Sequence, residues 1–348
     1  MNKKLITIVG ARPQFIKASA LSRAISKTNQ IDEVIVHTGQ HFDFNMSDIF
    51  FEEMQIPKPK YQLGISGFSH GEMTGKMMVE IEKVVICEKP DAILVYGDTN
   101  STLAGALVGA KLHIPIIHVE AGLRSFNFNM PEEINRVVTD RLSTLLLCPT
   151  PQSLLNLKNE SFDTYNVRIE HVGDVMEDAS LFYEKYAKLK SSIVSNLIGN
   201  SNYVLVTCHR AENTDNDINF SEIVKGLNQI AQTIKLIWPV HPRIINKIKK
   251  YDISDNIILI DPVGYFDMIN LISNSDLVLT DSGGLQKESY FFNKFCITMR
   301  NQTEWVILIE ETCINRVFIN DENSSVGNFT HKIGIDYFES SRNITLTI

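Results

Sequence analysis

Residues 96–136 read YGDTNSTLAGALVGAKLHIPIIHVEAGLRSFNFNMPEEINR, and this stretch decides the fold. Two short apolar runs each lead to a carboxylate. Ile93-Leu94-Val95 runs on to Asp98, and Ile116-Ile117-His118-Val119 runs on to Glu120. Residues 101–112 between them carry a helical pattern. A third acidic pair, Glu132-Glu133, follows Pro131, which suits a helix start because its missing N–H would have no partner there. Apolar runs alternating with helices predict parallel strands, and such sheets hold their ligands beyond the carboxyl ends of the strands. Asp98 and Glu120, at neighbouring strand ends, therefore point to one crevice.

The same alternation extends in both directions. Strands are predicted over 5–9, 34–37, 145–148 and 167–172. Helices are predicted from the Gly10-Ala11-Arg12-Pro13 turn to residue 26, over 43–54 and over 69–88, with Met73, Met77 and Met78 assigned to the core. Residues 1–172 make a first domain. Residues 173–202 lack strand signals, turn polar and read as a linker. The alternation restarts at 203–207 and continues through strands at 236–240, 257–260, 277–280 and 295–298, separated by helices over 218–234, 266–272 and 284–292. Residues 203–348 make the second domain. The expected architecture is α/β: two Rossmann-like doubly wound domains with the active site in the cleft between them.

Composition agrees. At 348 residues the chain exceeds a single ordinary core, and 44% hydrophobic with 21% charged residues is the balance of a globular protein. A net charge of −8 argues against nucleic acid as partner and leaves anions to local basic pockets. Arg12 interrupts the first apolar run too early for a signal peptide, and no apolar segment approaches the roughly 18 residues of a membrane span, so a cytoplasmic protein is expected. The five cysteines, Cys87, Cys148, Cys208, Cys296 and Cys313, are scattered and form no CxxC pair, which fits free thiols.

The two halves carry different chemistry. Arg12 and Lys17 flank a helix start where an anion can bind, although Lys17 reads equally as a solvated lysine. Three carboxylates near one crevice raise one another's pKa values, the condition for acid and base to coexist near neutrality. The plainer alternatives are helix caps for Asp98-Thr99 and a salt bridge or cap for Glu133. In the second half, strands end on His209-Arg210, on His241 and on Asp281-Ser282-Gly283-Gly284, the last followed by a helix carrying Glu288. A Ser-Gly-Gly turn after a strand and before a helix offers backbone N–H groups to a phosphate. A nicotinamide site is disfavoured, since Gly10-Ala11-Arg12-Pro13 lacks G-x-G-x-x-G. The nine histidines show no zinc spacing, and Asp215-Asn216-Asp217 reads as a solvated loop rather than a metal site.

GARPQFIKAS, HTGQHFD, YGDTNSTLAG, HVEAGLRS, MPEEINR, VTCHRAEN, PVHPR and LTDSGGLQKE, in this order from residue 5 to about 317, resemble the non-hydrolysing UDP-N-acetylglucosamine 2-epimerase family. The resemblance implies a GT-B-like fold and inversion at C2 of a UDP-2-acetamido sugar without cofactor or metal. The implied route is anti elimination of UDP, then syn re-addition. Carried over motif by motif, the acid/base carboxylates fall on Asp98, Glu120 and Glu132, and the catalytic histidine on His209. UDP-sugar contacts fall on Arg12, Lys17, His241, Ser282, Gly283, Gly284 and Glu288. Glu133 is expected to be supporting, Gln40 and His41 match an effector region of some members, and a homodimer is the common family state.

The chain departs from that pattern at Thr303-Glu304-Trp305-Val306, where many members place an arginine, and in its tail over 328–348. With Ser125-Phe126-Asn127 and Met130-Pro131, it looks like the branch that includes UDP-2,3-diacetamido-2,3-dideoxyglucuronate 2-epimerases. The expected reaction is UDP-N-acetylglucosamine to UDP-N-acetylmannosamine for surface polysaccharide. The alternatives are the diacetamido uronate, a hydrolysing epimerase, a GT-B glycosyltransferase and a non-catalytic UDP-sugar sensor. Loop 125–130 is the expected place for the choice of sugar.

Overall fold

The computed structural model describes residues 2–40, 54, 56–299 and, as a backbone strand, 314–316. It consists of two compact units, the first ending at Tyr183 and the second beginning at Glu184.

The first unit holds seven strands, β1 (Lys3–Val9), β2 (Ile31–His37), β3 (Tyr61–Gln62), β4 (Ala92–Tyr96), β5 (Ile116–Val119), β6 (Leu145–Cys148) and β7 (Arg168–His171). They form one parallel sheet in the order β3-β2-β1-β4-β5-β6-β7. The order reverses between β1 and β4, the kind of switch point at which doubly wound sheets leave room for a ligand. The helices are α1 (Arg12–Thr28), α2 (His70–Glu88), α3 (Asn100–Lys111), α4 (Pro131–Leu142), α5 (Pro151–Asn159) and α6 (Val175–Lys190). Ile6 and Ile8 of β1 and Ile93 and Val95 of β4 pack with Met77, Ile81 and Val84 of α2 and Ala104 and Val108 of α3. Met73 and Met78 lie at the edge of this cluster, so all three methionines are core residues. Each fully buried aliphatic side chain contributes about 1.5–3 kcal/mol.

The second unit repeats the plan with β8 (Tyr203–Thr207), β9 (Lys235–Pro239), β10 (Ile257–Ile260), β11 (Leu277–Thr280), β12 (Phe295–Thr298) and β13 (Ile314–Arg316). All are parallel, in the order β10-β9-β8-β11-β12-β13, and the switch point falls between β8 and β11. Its helices are α7 (Ile193–Ile198), α8 (Ala211–Thr214), α9 (Asp217–Ile230), α10 (Ile245–Ile248), α11 (Tyr265–Asn274) and α12 (Gly283–Phe291). Trp238 is fully buried among Phe220, Val224, Leu227, Leu277 and Leu279.

Several elements differ from expectation. Residues 173–202, read as a linker without strands, are largely helical: α6 and α7 occupy most of them, and the division between the units falls inside α6. The helix buries Met176, Ala179, Tyr183 and Ala187, a three-to-four-residue stripe that its abundant lysines and glutamates obscure. Helix α5 is not among the expected helices; Thr150 caps it by accepting from the Ser153 N–H and Pro151 opens its first turn. Strands β3 and β13 are only two and three residues long, below what periodicity resolves. The helix expected over 43–54 lies outside the described residues apart from Met54, as do His41, Cys313, Thr303-Glu304-Trp305-Val306 and the tail 328–348. Among the described residues, no helix is long and apolar enough to cross a membrane.

Candidate active site

In the first unit, the turns after β1, β4 and β5 meet. Gln14 of α1 accepts from the Gly10 and Ala11 N–H groups at 2.8 and 3.1 Å and donates to the Tyr96 carbonyl at 2.8 Å, joining the β1 and β4 turns. Gly97 follows with φ 61°, and a Cβ there would lie 3.1 Å from Glu120 Oε2 and 3.2 Å from Lys17 Nζ. Glycine suits that backbone and that space best. Thr99 caps α3, accepting from the Thr102 N–H.

Asp98 itself does not cap. Its Oδ2 accepts from Arg136 Nη2 at 2.5 Å and Nε at 3.1 Å. The same guanidinium donates through Nη1 to Glu133 Oε2 at 2.8 Å. Glu133 is fully buried and also takes the Ser125 N–H, the Ser125 hydroxyl and the Phe126 N–H at 2.9, 3.0 and 2.9 Å. It thus anchors loop 125–130, the supporting role expected of it. Glu132, its neighbour in the first turn of α4, is exposed.

Glu120 is buried and stands at φ 69°, a left-handed conformation sparsely populated outside glycine. Its carboxylate forms an ion pair with Lys17 of α1. Of the two sequence readings of Lys17, the solvated lysine does not hold: Lys17 is a buried cation beside this acid. Arg12 lies one turn earlier, at the start of α1. Gln40 accepts from the Ser101 N–H and hydroxyl at 3.0 and 2.7 Å, at the start of α3.

In the second unit the carboxyl ends of β9, β8 and β11 lie side by side. They bring together His241, His209 and the Asp281-Ser282-Gly283-Gly284 turn. The two imidazoles stack at 5.3 Å with an interplanar angle of 26°. Asp281 is fully buried and accepts from the His209 N–H at 2.9 Å, the Arg210 N–H at 2.9 Å and Asn213 Nδ2 at 3.1 Å, with His209 Nδ1 3.5 Å away. Ser282 caps α12 by accepting from the Leu285 N–H, and Gly283 and Gly284 open that helix. Glu288, further along α12, is buried. Burial pushes the Cys208 thiol well up, with the Asp281 charge adding to it.

Asp215, Asn216 and Asp217 are exposed and make local contacts. Asp215 pairs with Arg243 at 2.7 Å, Asn216 caps α9 and Asp217 pairs with Lys247 at 2.5 Å. Cys148 and Cys296 are buried and unbridged, each thiol pushed up to about 12 by burial. Arg136 has site contacts that sequence reading missed, and its place at the end of the decisive stretch was the one signal for it; Asp281 was read as the first residue of the turn after β11 but without its contacts to His209 and Arg210.

The first unit thus carries carboxylates at its strand ends, and the second carries a Ser-Gly-Gly turn between β11 and α12. The family described as UDP-N-acetylglucosamine 2-epimerase matches residues 23–342. The chain is 54% identical over 317 residues to the UDP-2,3-diacetamido-2,3-dideoxy-D-glucuronate 2-epimerase of Pseudomonas aeruginosa, covering 91% of this chain and 88% of that one. The crystal structure of the Methanocaldococcus jannaschii UDP-GlcNAc 2-epimerase with UDP-GlcNAc and UDP is similar at a TM-score of 0.85 and 42% identity, covering 96% of this chain and 92% of that one. The Neisseria meningitidis UDP-GlcNAc 2-epimerase bound to UDP-GlcNAc gives 0.86 and 30%, covering 98% and 94%. The chain belongs to the non-hydrolysing UDP-N-acetylglucosamine 2-epimerase family. It is a UDP-sugar 2-epimerase, an isomerase with a GT-B-like fold.

Proposed function

We propose that this enzyme inverts C2 of a UDP-2-acetamido sugar, with UDP-2,3-diacetamido-2,3-dideoxyglucuronate as the substrate. The 54% identity to the Pseudomonas aeruginosa enzyme supports that sugar. UDP-N-acetylglucosamine, giving UDP-N-acetylmannosamine, is the second reading, supported by the Methanocaldococcus jannaschii relative at 45% identity. The observation that carries the chemistry is the pair of acids at adjacent strand ends, Asp98 on Arg136 and Glu120 on Lys17.

A proton at C2 of a sugar is poorly acidic, and its removal is assisted by departure of UDP from C1. A carboxylate takes the C2 proton, the C1–O bond breaks with its electron pair leaving on UDP, and a 2,3-unsaturation is not required because the double bond forms between C1 and C2. An acid then returns a proton to C2 from the opposite face as UDP re-adds at C1, so every atom is conserved. Asp98, Glu120 and Glu132 handle the proton, with His209 completing the catalytic set. Ser282, Gly283 and Gly284 meet the diphosphate with backbone N–H groups, Glu288 takes the ribose hydroxyls, and His241, Arg12 and Lys17 belong to the same UDP-sugar set. Loop 125–130, with Phe126 and Phe128 exposed and its start fastened by Glu133, selects the sugar. The product feeds surface polysaccharide synthesis in the cytoplasm.

The test is to incubate the purified protein with each UDP-sugar in D2O and follow the anomeric signals and the C2 proton. Interconversion with deuterium at C2 and no net UDP release is the expected result. Net UDP formation would establish hydrolysis instead, and turnover of UDP-N-acetylglucosamine alone would move the substrate to the second reading.

A further inference from the structure

Beside the turns that carry Asp98 and Glu120 lie three buried ionisable side chains without a task so far, His118, Arg124 and Asp140. Burying such groups is often no better for stability than apolar side chains of similar volume, and it is tolerated only when their polar atoms are partnered. The partners here are specific. His118, on β5 two residues before Glu120, has Nδ1 2.7 Å from Asp140 Oδ1 and Nε2 2.7 Å from the Gly97 carbonyl. A carbonyl has no proton to give, so Nε2 donates. Asp140 lies on α4, the helix that carries Glu132. Its Oδ2 accepts from the Gly122 N–H at 3.1 Å and from Arg124 Nη1 at 2.7 Å.

One carboxylate therefore reaches both turns. Through His118 it ties Gly97, the residue before Asp98. Directly, it ties Gly122, two residues after Glu120. Both glycines are left-handed, at φ 61° and 78°, and Glu120 between the ties is left-handed without being glycine. Such conformations persist when the surroundings over-determine them. The main-chain ladder between β4 and β5 reaches only as far as the Gly97 N–H donating to the Val119 carbonyl at 2.9 Å. Past that bond, the His118–Gly97 and Asp140–Gly122 contacts continue the coupling with side chains. Arg124 is held in turn by Glu160 at 2.6 and 3.0 Å and donates to the Leu123 carbonyl at 2.7 Å. Burial alone would raise the Asp140 carboxyl, but the hydrogen bond and charge of His118, together with Arg124, bring it below the usual carboxylate range.

We propose that His118 and Asp140 are positioning residues that set the spacing of the Asp98 and Glu120 carboxylates for proton transfer at C2. This rests on the epimerase reading above. Neither side chain touches the sugar: the dyad acts through the backbone of the two turns.

The test compares wild type with His118→Gln, Asp140→Asn and the double variant. Each is measured for UDP-binding stoichiometry by titration, for Tm, and for turnover per UDP-binding site. Counting sites removes any unfolded fraction from the comparison. A misplacement of about 1 Å lowers turnover by about a hundredfold, so each variant should lose about that factor in kcat per site. KM should stay within about threefold, and the double variant should lose no more than about either single one, because the two residues act as a unit. If Asp140→Asn yields no folded protein, His118→Gln alone decides. Unchanged turnover per site, with only Tm or site number reduced, overturns the inference and leaves a purely structural network. The same preparations separate the two levels of the reading. A wild type that epimerises neither UDP-sugar defeats the epimerase proposal, whereas an active wild type with undiminished variants defeats only the positioning role.

Discussion

Lys17 on α1 and Glu120 at the end of β5 form an ion pair in which both side chains are buried. The lysine brings a charge to the acid rather than to solvent, and its removal leaves a buried carboxylate without its cation. Breaking a buried pair on one side costs about 3–5 kcal/mol. Lys17→Met, which keeps the volume, should lower stability by about that amount in urea unfolding. Adding Glu120→Gln should restore most of it. A Lys17→Met protein as stable as wild type would show that the pair is not a structural element.

Arg136 bridges Asp98 and Glu133, and through Glu133 it reaches the start of loop 125–130. Arg136→Lys keeps the charge but loses the planar fork that serves both acids at once. Activity should fall with Arg136→Lys nearly as far as with Arg136→Ala, by about ten- to a hundredfold. If lysine restores full turnover, charge alone suffices and the fork geometry is irrelevant.

The legible part of the fold was what periodicity and strand-end chemistry write plainly. Strands β10, β11 and β12 fall on the expected residues because each is a short apolar run between polar turns. Asp98 and Glu120 stand out in the sequence because each lies at the end of such a run, Glu120 directly after Val119 and Asp98 three residues beyond Val95. The contacts of those acids were not legible. Arg136 lies thirty-eight residues from Asp98, and Lys17 more than a hundred from Glu120, so only the folded sheet brings them together. Asp140 sits in TDRL, where nothing distinguishes it from a solvated helix residue, yet it is fully buried. Helix α6 was hidden in the same way, because its buried stripe is diluted by charged residues on its outer face.

Gly97, in the turn that carries Asp98, stands against the Lys17–Glu120 pair. An added Cβ would stand 3.1 Å from Glu120 Oε2, and the backbone there is left-handed at φ 61°. Gly97→Ala should be destabilised by about 1–2 kcal/mol from the conformation alone and should lose turnover as the Lys17–Glu120 pair is displaced. Thermal unfolding paired with the D2O assay checks both effects. Full activity in the alanine variant would mean that the pair can shift without consequence.

Asp281 accepts from the backbone of His209 and Arg210 while sitting just before the Ser282 cap. Replacing it with asparagine keeps the shape but removes the charge from these hydrogen bonds. Hydrogen bonds to a charged group contribute about 1.5–3 kcal/mol each. Asp281→Asn should therefore weaken UDP binding by at least about tenfold, measured by calorimetry, as His209 and the turn lose their common anchor. An unchanged affinity alongside lost turnover would assign Asp281 to orienting His209 alone.

Glu88, the last residue of α2, gives the first unit a defined pH dependence. Its Oε1 accepts from Lys60 Nζ and the Tyr61 hydroxyl, each at 2.6 Å, and its Oε2 from Lys4 Nζ at 3.0 Å. The Lys60 hydrogen bond, then those of Tyr61 and Lys4, bring the carboxyl down to about 2. An unfolded glutamate titrates near ~4.3. Between these values the unfolded chain binds the extra proton, so stability from Glu88 is present above about pH 4.3 and is lost as pH falls towards about 2. At the other end, the hydrogen bond to Glu88 pushes the Tyr61 hydroxyl up to about 12. That stability is complete below about pH 10 and disappears as pH rises through about 12. Urea midpoints across pH should show both slopes in wild type. Glu88→Gln should flatten both, whereas Tyr61→Phe should remove the alkaline slope and only lessen the acid one. Lys60 is largely exposed, so added salt should shrink the acid slope. An acid slope that survives in Glu88→Gln would assign it to other carboxylates.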